Sequence, residues 1–149
     1  MPSLLTHVAV GLLLGLGCQT LRCMFTTVLL STVQDLDILI HGLHRALLHN
    51  IYITTMLTCI GACMGRTRIE KIIYATCPWM HILLDMTTGG VALFWPFTRH
   101  VYEIANIWPT IWISGLSPYW ADKLGIVLIL TYCMATVLKR VKTSKVIIA

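Results

Sequence analysis

Charge is what this sequence has least of. Only 11% of its 149 residues are Asp, Glu, Lys or Arg, and only 6 of them are acidic. A soluble domain carries about 25% charged residues, so the composition does not describe an ordinary charge-covered globular surface. Cys-x-x-Cys pairs are absent too, although Cys18, Cys23, Cys59, Cys63, Cys77 and Cys133 are present. Packing is the expected role of these cysteines rather than a disulfide or a thiolate metal site, including Cys59 and Cys63 on one helix face. No Lys or Arg precedes the first apolar run and no small-x-small cleavage site follows it, so structure is expected from Leu4 onward rather than a signal peptide. A Gly-rich phosphate loop, a zinc finger and a basic stripe interleaved with aromatics are all missing. The net charge of +5 sits mostly in short loops and near the C-terminus, and nucleic acid is not an expected partner.

Apolar residues fill the space that charge leaves. They make up 57% of the chain, and the mean hydropathy is +0.80. The expected fold is all-α: one domain over 1–149, a multi-pass transmembrane bundle of about five helices with a long interfacial connection before the last. Polar punctuation divides the apolar runs into helices over Leu4–Leu16, Cys23–Val33, Ala46–Met64 and Ile69–Met86. Residues 4–97 form the expected core. An interfacial segment follows over 98–118, with Trp108 and Trp112 at headgroup depth and Ile104–Leu116 as a short helix. A last spanning helix over 119–138 and a basic tail over 139–149 complete the chain.

Five crossings sort the basic residues unequally. Arg22, Arg66, Arg68, Lys71, Lys139, Arg140, Lys142 and Lys145 fall on one side; Arg45, Arg99 and Lys123 fall on the other. The positive-inside rule makes the first side cytoplasmic. The expected location is therefore the cell membrane, with the C-terminus cytoplasmic. The same threading carries His7, Asp35, Asp37, His44, His49, His81 and Asp85 to one level at the outer face.

Ionisable residues in an apolar bundle are costly and mark function. His81 and Asp85, at i and i+4, share a helix face. Asp35 and Asp37, one residue apart at a helix end, can aim two carboxylates into one cavity. Imidazole and carboxylate together suit a divalent ion, zinc first, with manganese or iron as alternatives. Seven candidate ligands (His7, Asp35, Asp37, His44, His49, His81 and Asp85) are enough for one or two ions per chain. Asp35 or Asp37 is the candidate general base where it is not a ligand. Arg45 is the candidate clamp for a phosphate or carboxylate. Trp95-Pro96-Phe97 reads as an interface anchor, and Thr88-Gly89-Gly90 as a helix stop.

These blocks resemble a known family, the LexA-regulated, membrane-bound, metal-dependent hydrolases (the YdjM-like proteins). The resemblance rests on five blocks in order. They are Thr6-His7-Val8-Ala9-Val10-Gly11, Asp35-Leu36-Asp37, His44-Arg45-Ala46-Leu47-Leu48-His49, His81-Ile82-Leu83-Leu84-Asp85-Met86-Thr87-Thr88-Gly89-Gly90-Val91, and Leu93-Phe94-Trp95-Pro96-Phe97. Gln34 stands where the family has Pro, and Leu48 and Asn50 where it has Thr and Ser. The resemblance implies a multi-pass membrane hydrolase that uses a metal.

The expected function is metal-dependent hydrolysis of an ester or phosphoester, with a lipid or lipid-linked ester as candidate substrate and the bilayer as partner. Two other classes would use the same residues. One is a divalent-ion transporter or channel; the other is a non-catalytic structural membrane protein.

Overall fold

Two glycines one helical turn apart decide how the first two helices meet. In the computed structural model, α1 (Leu4–Leu16) and α2 (Leu21–Thr32) run antiparallel about a tight turn. A Cβ on Gly11 would stand 2.8 Å from Val28 Cα, and one on Gly15 would stand 2.6 Å from Met24 Cα. Only glycine permits that approach, because no side chain separates the two backbones. Thr20 caps α2 by accepting from the Cys23 amide at 3.1 Å. Cys18 and Cys23, expected only to pack, are joined by a disulfide across the turn.

The structure describes residues 4–18, 20–40, 45–86, 90–104, 126–127 and 129–138. After α2 the chain tightens into a 3-10 segment, Val33–Leu39, which carries Asp35 and Asp37. Then come α3 (Ile51–Met64) and α4 (Arg68–Met86). Residues 129–138 are also helical. No strand forms among the described residues; an isolated antiparallel bridge joins Val91 to Tyr102.

The helix starts follow local hydrogen-bond chemistry. Asn50 caps α3, its side-chain oxygen accepting from the amides of Tyr52 at 3.1 Å and Ile53 at 3.0 Å. Thr67 and Glu70 make a capping box at the start of α4. The Glu70 amide donates to the Thr67 hydroxyl at 3.1 Å, and the Glu70 carboxylate accepts from the Arg66 amide at 2.7 Å. The Arg66 amide is the main cause that holds the Glu70 carboxyl below its ordinary value, against the opposing effect of burial. Pro78 lies inside α4 and leaves the Tyr74 carbonyl without its helical donor. Against that carbonyl sits Gly61 of α3, where a Cβ would be 2.8 Å away.

The up-and-down order gathers the start of α1, the end of α2, the start of α3 and the end of α4 at one end of the bundle. Arg22 closes the other end, donating to the Met64 carbonyl at 2.8 Å and lying 3.7 Å from the Glu70 carboxylate. Between the ends is a small core of Cys23, Leu30, Tyr74 and Cys77, packed by Leu14, Cys18 and Ile73.

The all-helical expectation meets an all-helical structure, but the transmembrane part is corrected. Among the described residues no helix is long and apolar enough to cross a membrane. The reason is physical. The 13, 12 and 14 residues of α1, α2 and α3 reach at most about 21 Å at 1.5 Å per residue, against a hydrocarbon layer of about 30 Å. The 19 residues of α4 are long enough but include Arg68, Glu70, Lys71, His81 and Asp85. This overturns the multi-pass bundle. The multi-pass cell-membrane location, with an outward site and a cytoplasmic C-terminus, falls with it, because the sorting of Lys and Arg needed spanning helices.

Boundaries moved as well. The first helix keeps Leu4–Leu16, and the fourth starts one residue early. The third starts at Ile51 rather than Ala46, because Arg45 turns left-handed and Asn50 caps the new start. The end of the interfacial segment, the start of the last helix, the basic tail, Trp108 and Trp112 lie outside the described residues.

Two substitutions test this packing. Gly15→Val should force α1 off α2 and cost about 1–3 kcal/mol, as overpacking does. Asn50→Ala should cost about 1 kcal/mol through loss of the cap. Denaturant titration of each variant checks both; an unchanged midpoint for Gly15→Val would refute the close α1–α2 contact.

Candidate metal centre

Four elements deliver ionisable side chains to the gathered end of the bundle. His7 comes from α1, Asp35 and Asp37 from the 3-10 segment, His49 from the residue before the α3 cap, and His81 and Asp85 from successive turns of α4. His7, Asp37, His49, His81 and Asp85 are each at most 2% exposed. Burial of so many polar groups is tolerated only when each finds a partner.

Several find one behind the centre. The Nδ1–H of His81 donates to the Ser31 carbonyl at 2.6 Å. A carbonyl can only accept, so this assigns the tautomer and turns the Nε2 lone pair inward. The Nδ1–H of His49 donates to Asp37 at 2.8 Å in the same way. The Asp37 carboxylate also accepts from the backbone amides of Arg45 at 3.1 Å and Leu48 at 3.4 Å. Asp37 therefore stands behind His49 and holds its ring, the arrangement that orients metal-binding histidines elsewhere. His7 stacks on His81, with ring centroids 3.9 Å apart and planes at 22°.

The inward atoms converge. One ligand atom each from His7, Asp35, His81 and Asp85 lies within 4.8 Å of all the others, so this buried group could hold a metal ion. The Nε2 of His7 is 3.4 Å from Asp85, and that of His81 is 3.6 Å from Asp35 and 3.5 Å from Asp85. The Nε2 of His49 reaches the same space, 2.9 Å from Asp85 and 2.9 Å from the Nε2 of His81.

Two features of the chain fit a cation there. Both ring nitrogens of His7 and the Oδ2 of Asp35 are buried with no hydrogen-bond partner, at a cost of about 1–3 kcal/mol each. The Nε2 atoms of His49 and His81 face each other at hydrogen-bonding distance, and two lone pairs so placed repel unless something positive lies between them. In the metal-free chain a proton takes that part. Burial works to lower the His49 pKa, but hydrogen bonds and charge attraction from Asp37 and Asp85 outweigh it and raise the pKa to about 9. Burial likewise works to raise the Asp85 pKa, yet the imidazoles of His49, His7 and His81 around it hold its carboxyl well below the usual range.

Of the residues singled out from the sequence, His7, Asp35, Asp37, Arg45, His49, His81 and Asp85 meet at this end of the fold; His44 lies outside the described residues. Sequence reasoning missed the support. Ser31 acts through its carbonyl, which no side-chain pattern reveals. Gln34 donates to the Leu48 carbonyl at 3.0 Å and the Thr54 hydroxyl at 2.9 Å, bracing the 3-10 segment against α3. Phe97, expected as an interface anchor, sits edge-on to Tyr52, with ring centroids 5.7 Å apart.

Among the described residues the fold is all-helical, with a buried imidazole–carboxylate group that could hold a metal ion. Compared with known family models, curated proteins and solved structures, the chain matches none, and nothing there identifies the family that the motifs resemble.

The pH dependence of the metal-free protein follows from the two shifted groups. His49 has a folded pKa above its ordinary value, so its contribution is full below pH 6.5 and is lost as pH rises through about 9. Asp85 has a lowered pKa, so its contribution is full above 3.8 and is lost as pH falls. With chelator present, the melting temperature should hold level between those two ordinary values and fall on the alkaline side. His49→Gln should abolish the alkaline fall; a variant that still shows it would assign the effect elsewhere.

Proposed function

We propose that this chain is a metal-dependent hydrolase acting on an ester or phosphoester. The observation that carries the reading is the buried convergence of His7, Asp35, His81 and Asp85 from three separate elements of the fold. Two imidazole nitrogens and two carboxylate oxygens suit zinc first, with manganese and iron as alternatives. The mutual closeness of the four atoms favours one ion per chain. The chemistry such an ion supplies is Lewis-acid polarisation of the ester and activation of water.

The chain's own residues take the remaining roles. Asp37 holds His49 with its Nε2 toward the centre, and His49 holds or passes the proton that hydrolysis must move. Arg45 sits on the rim, its Nη2 3.6 Å from Asp85. Asp35 and Arg45 provide the open edge, with side chains 20% and 14% exposed, whereas those of His7, His49, His81 and Asp85 are at most 3% exposed. A closed centre would suit a purely structural ion; an open edge suits an ion that meets substrate. The lipid part of the expected substrate rested on headgroup depth and is not carried forward. The carrier reading needed a path through the bilayer and is not carried forward.

The test is metal content per chain by mass spectrometry, paired with hydrolysis of p-nitrophenyl phosphate and bis-p-nitrophenyl phosphate. The wild type should carry near-stoichiometric metal, and the His81→Ala, Asp85→Ala double variant should carry almost none. Asp37→Asn should keep the fold and lose about 10–100-fold in metal affinity or rate. Metal without hydrolysis of any ester probe, in a well-folded preparation, would reduce the centre to a structural one.

A further inference from the structure

Arg45 is built into the rim at some conformational cost. It is the one non-glycine residue with positive φ, 63°, among those described. Two hydrogen bonds hold that backbone in place. Its amide donates to Asp37 at 3.1 Å, and its carbonyl accepts from the Ala92 amide at 3.1 Å. The segment bearing Ala92 is itself pinned. Val91 and Tyr102 exchange two bonds of 2.9 Å, and the Ile104 amide donates to the Met86 carbonyl at the end of α4 at 3.0 Å. Strain held on both sides by fixed partners is characteristic of functional positions.

The side chain is only partly used. Nη1 donates to the Gly90 carbonyl at 3.4 Å. Nε and Nη2 are buried and have no hydrogen-bond partner. These two nitrogens are not an arbitrary pair. In a planar guanidinium, the N–H of Nε and one N–H of Nη2 point the same way, forming the fork that binds two oxygens of one oxyanion. The fork stands beside the candidate metal centre, with Nη2 3.6 Å from Asp85 Oδ1, too long for a hydrogen bond. Among the described residues, Arg45 is also the only Lys or Arg within ion-pair distance of the metal-binding group.

We propose that Arg45 and the His7/Asp35/His81/Asp85 centre together bind a phosphoryl group. Two of its oxygens lie on the Nε/Nη2 fork, and a third faces the centre. This rests on reading the centre as a metal site, and it names the substrate class for that site. Geometry favours phosphoryl over carboxylate. A carboxylate with both oxygens on the fork has no third oxygen to face the ion. A tetrahedral phosphoryl group has a third oxygen to offer, so it can bridge the two. Entry is by the open edge, since Asp35 and Arg45 are the members that reach solvent.

Calorimetric titration of inorganic phosphate into the zinc-loaded full chain tests this, with acetate as the planar comparison. Zinc per chain and the melting curve are measured for every variant. The wild type should bind phosphate saturably and acetate at least about tenfold more weakly. Arg45→Lys keeps the charge but loses the fork, and should bind phosphate at least about tenfold more weakly. Arg45→Gln should show no detectable binding while keeping its zinc. Phosphate binding that survives Arg45→Gln, or acetate binding equal to phosphate, would overturn the proposal. So would loss of zinc from both variants, which would make Arg45 a mere counter-ion of Asp85. A wild type that takes up zinc but no phosphate overturns this proposal alone; a wild type that takes up no zinc overturns the metal reading beneath it as well.

Discussion

Ionisable groups must be paired when they leave water, and the architecture at the functional end follows from that constraint. Three histidines and two aspartates are almost fully buried within a few ångströms of one another. An isolated buried charge costs several kcal/mol, so the fold supplies partners in layers. The Ser31 carbonyl and the Asp37 carboxylate lie behind the rings of His81 and His49. Backbone amides of Arg45 and Leu48 lie behind Asp37. Every outer partner turns an inner nitrogen toward the same small space. There the pairing stops, leaving both nitrogens of His7 and one oxygen of Asp35 without a hydrogen bond. A site satisfied at its back and unsatisfied at its centre has the form of a receptor for a cation.

Backbone contacts between helices make that convergence hold. Gly11 and Gly15 bring α1 onto α2, while Gly61 seats α3 against the Tyr74 carbonyl that Pro78 leaves free in α4. Arg22 ties three helices at the far end. The candidate ligands sit one per helix turn or helix end, so their spacing is set by these contacts rather than by a loop. A metal ion held there would be coupled to folding, because the geometry that would ligate it is the geometry that packs.

Parts of this were legible from residues alone. The first helix could be bounded because a mostly apolar run from Leu4 weakens at Gly15, Gly17 and Gln19. His81 and Asp85 could be put on one face because a helix repeats every 3.6 residues. The start of α3 could not be read correctly. The apolar run began at Ala46, and only the left-handed turn at Arg45 and the Asn50 cap move the helix to Ile51. Hydropathy misled in a different way. High mean hydropathy suggests membrane crossing, but crossing needs length and polarity to agree within a single helix. Here the three apolar helices are short and the long one carries charge.

The sequence by itself determined the helical class, the shared face of His81 and Asp85, and the set of side chains able to bind a cation. These depend on local periodicity, local hydrogen bonds and residue type. Tertiary structure alone decided how those side chains divide their roles. Asp35 and Asp37 are one residue apart and chemically identical. In the 3-10 segment one carboxylate reaches the centre, and the other turns behind His49. The direction of the Arg45 fork and the tautomer of His81 were likewise set by partners far away in sequence, Gly90 and Ser31. Such roles depend on distances across the fold, which a linear pattern does not contain.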